Sequence, residues 1–271
     1  HSIINPNRMD DKSNLKYLCA AGVTFMFLIS INKDLRTENW FKKNNFIEPN
    51  LLDYLDLVSL GTVCDVVPLI GLNRAIVKQG LKILKTKKNL GLKTLIDICR
   101  IETNPNVYHL GYVLGPRINA GGRVGKSSHG ANLLLSNNSK YVFKIASELD
   151  QYNKERQLLE KDVLQKILDK SNRNLSDPVL ILSGSNWHEG VIGIVASRLK
   201  DKFNKPVIII SVDKEIGKAS ARSITGFDIG SLIIAAVQKK ILIKGGGHKM
   251  AGGFSIKVEN IDKFKEFIFN K

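Results

Sequence analysis

The chain has 271 residues, 43% of them hydrophobic and 24% charged, with only seven prolines. That balance excludes a disordered or collagen-like chain and fits one or two folded domains. Lysine and arginine number 41 against 25 acidic residues, a formal charge of +16. An excess of this size concentrates polyanions near the surface and marks nucleic acid as the expected partner.

The opening stretch from His1 to Asn7 reads as strand-like and has no initiator methionine, so a piece of a longer protein is expected. The apolar run Leu18 to Ile31, interrupted by Gly22, Thr24 and Ser30, is too short to span a bilayer and predicts a core helix. No secretory-signal pattern is present, and no membrane association is expected. Cys19, Cys64 and Cys99 form no C-x-x-C pair and no zinc pattern, which suits a reducing, cytoplasmic setting.

The first half reads as helices with short connectors: Leu51 to Leu60, Ala75 to Lys85 and Gly91 to Cys99. Gly115 to Gly125 is expected to be a glycine-rich loop. From Lys140 to Ser171 neither proline nor glycine occurs, and Val142, Ile145, Leu149, Tyr152, Leu159, Val163 and Ile167 recur near helical spacing. A single amphipathic helix of about 30 residues would be roughly 45 Å long and suits a connector between two domains. The polar stretch Ser171 to Pro178 should end it and mark the boundary. Beyond it, Val179 to Leu182, Val191 to Phe203 and Pro206 to Val212 alternate as strand, helix and strand, a βαβ unit whose strands should be parallel. Lys218 to Ser223 reads as another strand, Asp228 to Ile241 as a helix capped by Asp228, and Ile261 to Phe269 as the last helix.

Four segments have chemical content. Asp65 stands between Gly61-Thr62 and Val66-Val67-Pro68; a carboxylate in such apolar surroundings meets a cation or a metal, or else caps a helix or turn. Arg117 and Arg123, six residues apart around glycines with Asn119 between them, suit a grip on a phosphate. The tail Ala120 to Ser127 nearly matches a P-loop, but no hydrophobic strand leads directly into it, which disfavours an ATPase. In Asn186 to Leu199, a strand-to-helix loop, His188 is either a loop cap or a group that contacts phosphate or assists a metal-bound water. Trp187 beside it is either core or a platform for a base. Ser220 to Ser223 and the run Gly245 to Gly253, which includes Gly246, Gly247 and His248, supply hydroxyls, a guanidinium, imidazole and bare amides. Alone, the glycine run reads as a tight turn or hairpin feeding the strand Gly253 to Ile256, or as a phosphate cradle.

Taken in order, Leu57 to Leu69, Gly115 to Arg123, Trp187 to Val191 and Gly245 to Gly253 resemble the RecJ exonucleases of the DHH phosphoesterase superfamily over essentially the whole chain. The resemblance implies an α/β protein of two lobes joined by a long helix. Residues 1–139 would be the C-terminal part of a DHH domain, 140–174 the connecting helix, and 175–271 the DHH-associated substrate-binding domain. It implies a metal-dependent 5′-to-3′ exonuclease acting on single-stranded DNA in repair and recombination, with two Mn2+ or Mg2+ ions. Asp65 corresponds to a metal-ligand aspartate, Asp65 and His188 to catalytic positions, and Arg117, Asn119, Arg123, Ser220, Arg222, Gly246, Gly247 and His248 to the grip on substrate. Single-stranded DNA is the implied partner, with a single-strand-binding protein and a helicase as further candidates. The family's other metal ligands, including its Asp-His-His triplet, have no counterpart in this sequence, so the chain by itself is expected to be inactive. Two alternatives stay open: a sister phosphoesterase acting on short oligoribonucleotides or cyclic dinucleotides, and a non-catalytic nucleic-acid-binding relative.

Overall fold

The computed structural model describes residues 3–170 and 177–270. The chain divides into two compact units, His1–Gly121 with Ser127–Gln151, and Gly122–Lys126 with Tyr152–Lys271. The expected end of the long helix between residues 171 and 176 lies outside the described residues.

The first unit is helical: α1 (Ala20–Thr37), α2 (Trp40–Lys43), α3 (Leu55–Cys64), α4 (Gly71–Lys85), α5 (Leu90–Ile98) and, after a segment described below, α7 (His129–Leu135). Its opening segment is not a strand. Ile3 to Asn5 carry no regular structure and the chain turns at Pro6, where Asn7 N–H donates to the Asn5 side chain at 2.9 Å. An extended segment needs a ladder partner, and among the described residues every strand belongs to the second unit. Nor is α1 a buried core helix. Phe25 faces the core while Phe27, Leu28, Ile29 and Ile31 are exposed, because its apolar residues wrap round the helix and this unit covers only one side.

Helices α3 and α4 pack at backbone distance. A Cβ on Gly80 would lie 2.1 Å from the Leu55 carbonyl oxygen and 2.5 Å from Ser59 Oγ. Ile76, Val77 and Leu84 of α4 flank that crossing and are buried with Leu55 and Val58. Asn73, fully buried in α4, donates to the carbonyls of Tyr17 (2.8 Å) and Pro68 (2.9 Å). It thereby ties the approach to α1 to the loop that follows α3.

The largest departure from expectation lies between Val107 and Gly125. A π-helical turn, His109–Leu114, runs directly into α6 (Gly115–Val124), so the glycine-rich segment is a helix and not a loop. Its glycines serve packing: a Cβ on Gly115 would sit 2.4 Å from Cys64 Sγ, and Gly121 is buried. Among the described residues no strand precedes Ala120 to Ser127, which removes the P-loop reading. Helix α8 (Ser139–Lys170) is a continuous 32-residue helix that contributes to both units.

The second unit carries a five-stranded sheet in the order β1-β2-β3-β5-β4. Strands β1 (Leu180–Ser185) and β2 (Val207–Asp213) are parallel and joined by α9 (Glu189–Phe203), as the βαβ reading expects. β3 (Ile216–Arg222), β5 (Ala251–Lys257) and β4 (Lys244–His248) continue the sheet antiparallel. β2 is apolar without alternation because both of its faces are covered. Val207 and Ile209 join Val191, Val195 and Leu199 of α9 on one side. Ile208 and Ile210 join Ile229 and Ile233 of α10 (Ile229–Gln238) and Phe264 of α11 (Ile261–Phe269) on the other. Asp228 caps α10 by accepting from Ser231 N–H at 3.0 Å.

Replacing Asn73 with alanine would strip the Tyr17 and Pro68 carbonyls of this donor, at about 1–3 kcal/mol for the pair. Asn73→Ala should lower the urea midpoint of the first unit, followed by far-ultraviolet circular dichroism; an unchanged midpoint would show that the two bonds do not hold that loop.

Candidate nucleic-acid interface

Strand alternation and register lay out one face of the sheet as a grid. Ser220 pairs with Gly253, which pairs with Gly246, forming a central row across β3, β5 and β4. Lys218, Ser255 and Lys244 form the row on one side; Arg222, Ala251 and His248 form the row on the other. The same side of β1 and β2 is covered by α9, whose cover ends over β3 at Gly193. A Cβ there would meet Ser220 Oγ at 2.9 Å and Arg222 Nη2 at 3.1 Å. A groove of about 580 Å³ is lined by Glu189, Ile192, Lys218, Ser220, Lys244 and Gly253, among others.

The glycines of the hairpin divide into two groups. Gly245, Gly247 and Gly252 are demanded by the fold, because a Cβ on each would come within 2.6 Å of Phe254 Cβ, the Ala251 carbonyl oxygen or Ile233 Cδ1. A Cβ on Gly246 would meet nothing within 4 Å, and one on Gly253 only the Ala219 oxygen at an ordinary 3.4 Å. Neither has a positive φ. The protein's own packing therefore leaves room for side chains at the two central positions of the grid, which nonetheless lack them. The glycine–histidine run as a whole is an antiparallel hairpin, so its amides are largely engaged in a ladder and do not form a loop of bare donors.

Charge in the grid is unevenly compensated. Lys218 pairs with Glu189 of the first turn of α9 at 2.8 Å. Arg222 has no carboxylate partner among the described residues; it donates to Ser220 Oγ (3.2 Å) and the Ala221 carbonyl (2.8 Å). Burial, and then the nearby charge of Arg123, push the Arg222 guanidinium below its ordinary value. Arg123 is likewise without a carboxylate and donates to the Gly190 carbonyl at 3.1 Å, while a Cβ on Gly190 would strike the Arg123 carbonyl. Arg123 and Arg222 are thus two guanidiniums close enough to oppose one another, one of them half-buried and neither neutralised by a carboxylate among the described residues.

His188 is the N-cap of α9, its Nδ1 accepting from Gly190 N–H at 3.1 Å, which leaves Nε2 to face outward chemistry. It is exposed beside a groove of about 650 Å³ lined by Arg123, Asn186, Glu189 and Asp213, among others. Trp187, by contrast, is buried against Gly184 and the α9 core, so it offers no face to a base. His248 is exposed at the end of β4, its Nδ1 accepting from Met250 N–H at 3.3 Å.

The remaining expected residues belong to the first unit. Asp65 is the C-cap of α3, its N–H donating to the Gly61 carbonyl at 3.0 Å; it is exposed, and its side chain has no hydrogen-bond or ion-pair partner among the described residues. It is therefore not the buried carboxylate that its apolar neighbours suggested: α3 ends at that point and leaves the side chain in solvent. The next residue, Val66, is held at φ 56°, a strained conformation for a β-branched side chain. Burial and the adjacent Asp65 carboxylate push the Cys64 thiol up to about 11, so it stays protonated and donates to the Leu110 carbonyl at 3.5 Å. No group of three His, Cys, Asp or Glu among the described residues is placed to hold a metal ion. Asp65 alone is too few for a clamp on two ions, so the described residues do not by themselves make up a metal centre. Arg117 turns inward, donating to Asp150 (2.8 Å) and the Val113 carbonyl (2.8 Å), whereas Asn119 is exposed. Lys218, Lys244 and Ser255 escaped the sequence reading; a period of two through Lys218, Ser220 and Arg222 was the available signal.

The DHHA1 domain model matches residues 176–271, the part of the chain that carries the grid. Over 98% of this chain, a RecJ single-stranded-DNA-specific exonuclease of Salmonella typhimurium is 37% identical, with 48% of that protein covered. The Bacillus subtilis RecJ is 33% identical over 96% of this chain and 31% of its own length. The chain thus spans about half or less of the length of the curated relatives it matches. Among solved structures, RecJ of Thermus thermophilus in complex with Mg2+ superposes with a TM-score of 0.78 at 29% identity, over 98% of this chain and 39% of that one. An exonuclease RecJ bound to manganese gives 0.77 at 29% identity, over 96% of this chain and 62% of that one. The chain is thus homologous along nearly its whole length to RecJ single-stranded-DNA-specific exonucleases and shares the fold of the matching part of their structures.

Proposed function

We propose that this chain is the strand-holding part of a metal-dependent exonuclease that degrades single-stranded DNA from the 5′ end in repair and recombination. The observation that carries the reading is the uncompensated pair Arg123 and Arg222 beside a sheet face floored by Gly246 and Gly253. Arg222, with Ser220 beneath it, would take the terminal phosphate by charge-assisted hydrogen bonds. Arg123 would add a second positive charge, held in place by Gly190. His188 and His248 would donate through Nε2 to backbone oxygens. The bare floor at Gly246 and Gly253 would let the sugar and base lie on the strands, and Lys244 would follow the backbone onward. Asn119 and Arg117 have supporting roles in this reading, Arg117 through its grip on Asp150 and Val113.

Mn2+ or Mg2+ is the cofactor that the relatives' structures support, and it would activate the water that cleaves the phosphodiester. Asp65 is the carboxylate this reading assigns to it, exposed and unspent on any protein partner among the described residues. The remaining ligands are assigned to the portion of the relatives that this chain does not span. The three free cysteines fit a cytoplasmic setting, and among the described residues no helix is long and apolar enough to cross a membrane. A single-strand-binding protein and a helicase are the partners this role would call for.

Binding of labelled oligonucleotides to the 271-residue chain tests the phosphate site. Affinity should fall steeply with added salt, as release of counterions requires. A 5′-phosphorylated strand should bind about tenfold more tightly than its 5′-hydroxyl twin, and Arg222→Ala should erase the difference. Equal losses on both strands would remove Arg222 from the phosphate role.

A second expectation concerns the floor. Gly246→Ala and Gly253→Ala should leave the melting temperature unchanged or slightly raised, since the unfolded chain loses freedom and no atom is struck. Both should nonetheless weaken strand binding several-fold. Unaltered affinity in both variants would show that nothing approaches the sheet at those positions.

A further inference from the structure

The first unit displays a pair of aromatic rings that its own packing does not use. Tyr108 and Tyr112 stack with centroids 5.3 Å apart and planes 24° from parallel, yet they are 61% and 74% exposed. They stand on the π-helical turn His109–Leu114 and the residue just before it, and their base is rigid. Leu110 and Leu114 are completely buried, and a Cβ on Gly111 would press on Val63 Cγ1 at 3.3 Å. The His109 ring packs edge-on against Tyr108. The turn thus sits on the last turn of α3, the helix that ends at Asp65. Another exposed stacked pair, Trp40 and Phe46, has a local structural role. It closes the turn after α2, where Phe46 N–H donates to the Phe41 carbonyl at 2.9 Å. The tyrosines lie along one helical stretch and close no such turn.

We infer that Tyr108 and Tyr112 form a base-stacking platform for single-stranded nucleic acid, the outer face of Tyr112 receiving a base that continues the stack. This rests on the reading of the chain as a single-strand-binding protein. Three observations favour a base over a protein surface as the occupant. The rings are already stacked, so a third plane adds with little rearrangement. The backbone below is fixed, so little freedom is lost on binding. The +16 charge of the chain draws the polyanion that carries bases. Stacking on an aromatic side chain is tolerant of sequence and strengthens binding by an amount that mutation can read.

The test compares two ligands that differ only in bases, an oligothymidylate and an abasic strand of equal length, binding to the 271-residue chain. The chain should prefer the oligothymidylate by about tenfold or more. Tyr108→Ser with Tyr112→Ser should shrink that preference while leaving affinity for the abasic strand unchanged, and Tyr108→Phe with Tyr112→Phe should restore it. A 2-aminopurine probe in the strand should be quenched by the wild-type and Phe chains and not by the Ser chain. If the Ser chain keeps the full preference and quench, or loses affinity equally for both strands, the platform is disproved while single-strand binding stands. If the wild-type chain binds neither strand, the underlying reading fails and the platform with it. A concentration-dependent dimer abolished by Tyr112→Ser would give the pair to a second copy and overturn the assignment.

Discussion

At Gly190 and Gly193 the first turns of α9 meet backbone and two polar side chains directly. Gly190 fits against the Arg123 carbonyl and Gly193 against Ser220 and Arg222, each because it lacks a Cβ. A side chain at Gly193 would crowd Ser220 Oγ and Arg222 Nη2 and displace the guanidinium. The arrangement has an electrostatic cost, since Arg222 is half-buried, without a carboxylate among the described residues and near a second guanidinium. The apolar contacts of Val191, Val195 and Leu199 with Val207 and Ile209 hold the helix down despite it. A helix N-terminus adds partial positive charge to the same place. Packing energy from the core is thus used to keep positive charge concentrated where an anion can neutralise it.

Much of the second unit was legible because its elements obey simple periods. The apolar run at β2, the helix between two short strands and the Asp228 cap each have one structural solution, and each appears. The glycine–histidine run was harder. Its composition announces close approach, but whether to a ligand or to its own chain depends on cross-strand neighbours far apart in sequence, such as Ile233. Trp187 shows the same limit: a tryptophan before a histidine looks available, and only the placement of Gly184 and α9 buries it. Gly115 to Val124 misled more thoroughly. Three glycines and a proline imply a loop, yet a proline in the first turn is compatible with a helix, and tight packing on Cys64 explains Gly115.

In the first unit the order of the chain hides how Asp65 is held. The carboxylate lies at the C-terminal, partially negative end of α3, where an anion gains nothing from the helix. The strained Val66 and the Pro68 that follow it turn the chain away, and Asn73 grips the Pro68 carbonyl from a fully buried position. Exposure, a negative local field and a pinned loop are the features on which the proposed cation role of Asp65 rests. The Cys64 thiol next to it donates to the Leu110 carbonyl.

Glycine is most informative where packing fails to explain it. A residue without a side chain costs conformational entropy, and in a strand it also forgoes cross-strand contact. At Gly245, Gly247 and Gly252 the protein recovers that cost through hairpin and helix contacts that a Cβ would forbid. At Gly246 and Gly253 it recovers nothing internally, although the two are direct partners across the ladder and share one row with Ser220. Under the proposed function the compensation comes from outside the chain, from a flat group that would lie against the strands. The rows on either side, Lys218 and Lys244 on one and Arg222 and His248 on the other, carry positive and polar side chains that suit the anionic strand of the proposed function.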